Sequence, residues 1–186
     1  MRRTSCLALA FVALLASACM DSGETPTRRG ATDILLDSAD HVAFGFRTNI
    51  TDGGLLRAEV FADTALFSDQ NTRASLRQVN GDFYSATGSK EATMVARIAN
   101  FDTRTQNLDA WGDVVITSVD GRVLRTPQIR YDRRLNEITS DSSFVLTEPG
   151  NKEMRGVGFR ADPNLTVVRV TRLEEGRGGT INLSRP

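Results

Sequence analysis

Cysteine is almost missing from this 186-residue chain: Cys6 and Cys19 are the only two, and both lie near its start. Everything after Cys19 therefore has no thiol for a disulfide, a thiolate metal site or a cysteine nucleophile, and its stability has to come from burial. Histidine is scarcer still. His41 stands alone, with neither a cysteine nor a second histidine near it, which leaves no credible zinc site or serine triad. An excess of one charge is also lacking, because 23 basic residues face 23 acidic ones. Without a basic face the chain has no footprint for nucleic acid. No apolar run reaches the roughly 20 residues that a membrane-spanning helix needs. Between residues 34 and 170 no apolar residues recur at helical spacing.

What is present begins with Arg2-Arg3, an apolar run over residues 6–15, and Ala16-Ser17-Ala18 before Cys19. This order reads as a secretory signal over residues 1–18. Leu15-Ala16-Ser17-Ala18-Cys19 resembles a bacterial lipobox, which implies that Cys19 is acylated and becomes the new N-terminus. Ordinary cleavage after Ala18, leaving a free Cys19, is the alternative. Met20 follows the cysteine and Asp21 comes one place later, so the sorting position leaves the choice of membrane open. Residues 19–36 are small and polar and include Pro26 and Gly30, as expected of a lipid anchor with a flexible tether. Residues 172–186, with Gly176, Gly178 and Gly179, read as a loose tail in which 180–183 can form one edge strand.

The segment between is built by repetition. Phe101-Asp102, Leu108, Ala110 and Val114-Val115-Ile116-Thr117 recur about thirty residues later as Tyr131-Asp132, Ile138, Ser140 and Phe144-Val145-Leu146-Thr147. A weaker third copy starts at Phe159 and Asp162. Such a period means stacked copies of one supersecondary unit. Short alternating or β-branched segments fill the region, among them 55–61, 64–68, 73–79, 82–85, 107–110, 114–118, 137–139 and 144–147. Asp52-Gly53, Asp120-Gly121 and Pro149-Gly150 mark tight turns between strands. An all-β, antiparallel fold over residues 37–171 is expected.

The two-residue period of a strand assigns faces. Leu108, Ala110, Gly112, Val114 and Ile116 share one face, opposite Trp111, Asp113, Val115 and Thr117. Ile138, Ser140, Ser142, Phe144 and Leu146 match them in the second copy. Phe101, Ile129, Tyr131 and Phe159 begin the units and are expected to line the same interior. By spacing alone these side chains fill a closed β core. The repeated acids Asp102, Asp132 and Asp162 follow an aromatic or precede a turn, which suggests turn caps. They lack the dense acidic spacing of a calcium loop. No metal and no cofactor is expected, and no carboxylate pair marks a glycosidase cleft. Arg125, Arg130, Arg133, Arg134 and Arg155 are read as solvated or ion-paired, with phosphate contact as the alternative. Gly54 and Gly156 are candidate partner-contact or structural glycines.

Tyr131-Asp132, NEITSDSSFVLT (136–147), MRGVGF (154–159) and DPNLTVVRV (162–170) together resemble the LptC family of lipopolysaccharide-export proteins. The resemblance extends over residues 37–170, including the glycine-bearing hairpin at Asp52-Gly53-Gly54. It implies a β-jellyroll, an open sandwich of stacked repeats, with an apolar groove between its sheets. The groove residues would be Phe101, Leu108, Val114, Ile116, Tyr131, Ile138, Phe144, Leu146 and Phe159. It further implies a non-enzymatic periplasmic carrier that takes lipopolysaccharide from an inner-membrane ABC transporter and passes it to an OstA-type bridge protein. Many family members hold on by an N-terminal transmembrane helix. Here a lipid anchor, most simply at the inner membrane, would take its place. A structural or adhesive repeat lipoprotein is the alternative reading.

Overall fold

A computed structural model describes residues 39–177. Nine strands follow one another: β1 (His41–Asp52), β2 (Leu55–Ser68), β3 (Arg73–Tyr84), β4 (Lys90–Asp102), β5 (Leu108–Ser118), β6 (Val123–Asp132), β7 (Glu137–Glu148), β8 (Lys152–Ala161) and β9 (Val168–Arg177). Each pairs antiparallel with its neighbour in sequence, giving one sheet in the order β1 to β9. The all-β expectation holds, but the strands are longer than the sequence suggests. Segments 55–61 and 64–68 are one strand, as are 73–79 with 82–85, 107–110 with 114–118, and 137–139 with 144–147. At 110–114 and 139–144 the interruptions are bulges, which break the ladder without ending the strand, whereas at 61–64 and 79–82 the pairing of β2 with β3 runs on in register.

These bulges line up. Pairing shifts between Val95 and Ile98 on β4, Trp111 and Val114 on β5, Arg125 and Arg130 on β6, and Ser140 and Ser143 on β7. At this crease Gly112 and Asp113 take φ of 84° and 56°, and Arg97 pairs with Asp113 at 3.0 Å. On β3 the inward series Ala74, Leu76 resumes at Val79 rather than Gln78, whose φ is 51°. One residue is skipped, so the same face stays apolar on both sides of the crease.

The sheet is folded along that crease. Phe83, near the end of β3 on one side of the crease, meets Tyr131, near the end of β6 on the other side, with ring centroids 5.2 Å apart. The expectation of two facing sheets is thus met by two halves of one sheet. Between them lies a single core that includes Ile50, Leu76, Met94, Leu124, Ile129 and Ile138. Edge strands β1 and β9 have no further partner among the described residues. Strand β9 continues through Arg172 to Arg177, past the boundary expected for the tail; Cys19, the tether, and residues 178–186 with the edge strand suggested at 180–183, lie outside the described residues.

The three repeated aspartates cap turns. Asp102 Oδ1 accepts from the backbone N–H groups of Arg104 (2.9 Å) and Thr105 (2.8 Å), and Asp132 Oδ1 from those of Arg134 (2.8 Å) and Leu135 (3.1 Å). Asp162 Oδ1 accepts from Val167 N–H at 2.8 Å. The Thr105 N–H, with help from Arg104, holds the Asp102 carboxyl below its ordinary value of 3.8. A folded pKa below the unfolded one means that this contribution is complete above about pH 4 and fades as pH falls through the lower folded value. Asp102→Ala should cost about 1 kcal/mol, and thermal unfolding at pH 7 measures it.

Candidate functional site: the apolar interior and its mouth

Antiparallel register places the expected residues in rows. One row crosses the whole sheet as His41, Phe67, Ala74, Phe101, Leu108, Tyr131, Ile138, Ala161 and Val168. On the other half Met94, Ile116, Leu124, Leu146 and Met154 are successive partners. Phe144 pairs with Gly156, and its ring meets Phe159 edge-on at 5.2 Å. All nine expected groove residues belong to the one core, none more than 4% exposed. Spacing alone pointed to such a filled interior. The open groove implied by the resemblance is occupied here by the chain's own side chains.

Leu76, Phe83, Met94 and Leu124 line the same interior and were missing from the sequence-derived set. Their strands carry the repeat only loosely, and register alone reveals them. Leu165 takes φ 58° and buries its side chain from the β8–β9 turn. Outside, an open hollow of about 600 Å³ follows the crease between Trp111, Arg125 and Pro127, with Val114 and Phe144 also contributing to its lining. Trp111 faces outward as its parity requires.

The candidate glycines differ. Gly54 has φ 83° and open space around it, so a turn conformation is what it supplies. Gly156 has ordinary φ, but a Cβ there would lie 2.5 Å from the carbonyl oxygen of Arg172. It exists for the close approach of β9. Among the arginines, Arg130 pairs with Asp109 and Arg155 with Glu153, each at 2.7 Å, while Arg125 and Arg134 are surface residues.

Arg133 sits elsewhere, at the mouth. Folding brings the turns that follow β1, β3, β5 and β7 towards the turns that follow β2, β4, β6 and β8. Arg133 ties the two rows: its Nη1 donates to the Thr51 carbonyl (2.8 Å) and its Nε to the Thr105 carbonyl (3.1 Å). Thr51 N–H donates to Gln106 Oε1 at 3.3 Å, and Arg122 Nη1 to Thr166 Oγ1 at 3.3 Å. Beside these ties Leu55 and Val119 stand exposed on one row, Leu135 and Val167 on the other. Just inside, the Tyr131 hydroxyl donates to Asn136 Oδ1 at 3.0 Å, and burial above all pushes its phenol well up, so it stays neutral. Among the described residues no three His, Cys, Asp or Glu side chains are grouped to hold a metal.

An antiparallel sheet folded about a crease, apolar within and laced along its mouth, defines an all-β protein of the jellyroll type. The family model described as "Lipopolysaccharide-assembly, LptC-related" matches residues 6–172, and the chain belongs to that family. It is a periplasmic, non-enzymatic component of lipopolysaccharide transport. Among solved structures it is similar to the crystal structure of LptH, the LptA-homologous periplasmic component of the conserved lipopolysaccharide transport device from Pseudomonas aeruginosa. Identity is 14% and the TM-score 0.44, over 69% of this chain and 88% of that one. No curated protein matches the chain.

Proposed function

We propose that the interior carries the acyl chains of lipopolysaccharide, received from an inner-membrane ABC transporter and passed to a periplasmic OstA-type bridge protein. The observation that supports this most is the unbroken apolar row from Phe67 on β2 to Val168 on the edge strand β9, which meets the other edge, β1, at His41. An acyl chain laid along it gains about 25 cal/mol per Å² of apolar surface removed from water, while the sugar and phosphate head stays in solvent at the mouth. Because the row is filled, loading requires the two halves to part. The unpaired edges of β1 and β9 suit strand addition by neighbouring jellyrolls, which would join their interiors into one track. Acylated Cys19 would hold the domain at the inner membrane.

The filled core favours a second reading, a repeat lipoprotein that only builds a scaffold. Proteoliposomes containing the transporter and lipopolysaccharide, mixed with the purified full chain, separate the two. ATP-dependent appearance of lipopolysaccharide on the chain is expected of a carrier. Its absence with an active transporter favours the scaffold.

A further inference from the structure

Three charged groups meet at the mouth without satisfying one another. Asp52 lies 3.9 Å from Arg57 Nη2 and 3.6 Å from Arg133 Nη1, both longer than a hydrogen bond to a charged group. Arg57 is the extra residue of a bulge: Ile50 pairs with Ala58 and Thr51 with Leu56, leaving Arg57 unpaired between them. Its side chain is only 19% exposed, and its Nε is buried with no hydrogen-bond partner. Two guanidiniums thus share one carboxylate, one of them with an unmet donor, in a half-buried place where an unmet donor is costly. Arg133 is also the residue that ties the two rows of turns together.

We infer that Arg57 and Arg133 form a binding site for the phosphate monoester of a glycolipid head, which replaces Asp52 between them and loosens the tie at the mouth. The inference rests on the carrier reading and adds to it what the mouth recognises. A phosphate offers three terminal oxygens and up to two negative charges, enough to accept from both guanidinium forks, whereas Asp52 reaches neither closely. Once Arg133 turns to a phosphate, its bond to the Thr51 carbonyl is given up. The head group would thus open the interior for its own acyl chains.

Binding of lipid A and of the same lipid A stripped of its phosphates is measured on the purified full chain, with inorganic phosphate as a third probe. Phosphorylated lipid A is expected to bind roughly tenfold more tightly than the stripped form. Arg57→Gln, checked for an unchanged unfolding midpoint, should bring the two within about threefold, and Asp52→Asn should strengthen binding of the phosphorylated form several-fold by removing the competitor. Equal binding of the two lipids by the wild-type chain would overturn the phosphate site and leave the carrier reading standing. If neither lipid binds, the carrier reading itself falls. Inorganic phosphate that binds through Arg57 while both lipids bind alike assigns the site to the free ion and overturns the lipid assignment.

Discussion

Replacing Gly156 by alanine should lower the unfolding midpoint by roughly 5–10 °C, the effect of about 2–3 kcal/mol of overpacking in a domain of this size. The new Cβ would lie 2.5 Å from the Arg172 carbonyl oxygen, 3.0 Å from Phe144 Cε1 and 3.1 Å from Val170 Cγ1. A side chain can swing aside, but the Arg172 carbonyl belongs to β9, so relief has to come from parting β9 from β8. The register already shifts there, between Arg155 and Gly156, which makes this the weak point of the pairing. Amide exchange should therefore quicken first in β9. Gly54→Ala serves as the comparison: with nothing within 4 Å and φ of 83°, it should cost only about 1 kcal/mol of backbone strain. An alanine at 156 that melts within a degree of wild type would mean that β9 is not packed as described.

Joining Thr51→Cys to Gln106→Cys with a short, reducible thiol cross-linker should cut lipopolysaccharide uptake at least about tenfold, and reductant should restore it. The Thr51 N–H and Gln106 Oε1 are 3.3 Å apart across the mouth, so the link holds the rows of turns where they already lie. If only parted halves admit an acyl chain, trapping the closed form removes the binding-competent population, and apparent affinity falls with it. Unchanged uptake by the linked chain would place loading elsewhere, at the β1 or β9 edge or through the crease hollow.

The strands that repeat were the legible ones. On β5 and β7 the bulge adds residues without changing parity, so Leu108, Val114, Ile138 and Phe144 were assigned inward correctly from alternation alone. On β3 the expected pieces 73–79 and 82–85 are one strand, because Asn80 and Gly81 stay paired with Phe61 and Val60, and the position skipped at the left-handed Gln78 has no signal in the sequence. The turn-capping role of Asp102, Asp132 and Asp162 was also readable, because such a cap is local. The fold of the sheet was not. Arg133 reaches a carbonyl 82 residues away, and nothing in its neighbourhood, Asp132-Arg133-Arg134, announces that. Arg57 likewise gains its place from a bulge visible only in the register with β1.

The most direct test of the carrier account is a photo-crosslinking scan along β7 in the full chain, with the transporter, lipopolysaccharide and ATP present. Successive side chains alternate between the interior and solvent, so a lipid between the halves should give adducts at Phe144 and Leu146 and none at Val145 and Thr147. Adducts at all four positions, or at none with transport running, would contradict a lipid path through the interior.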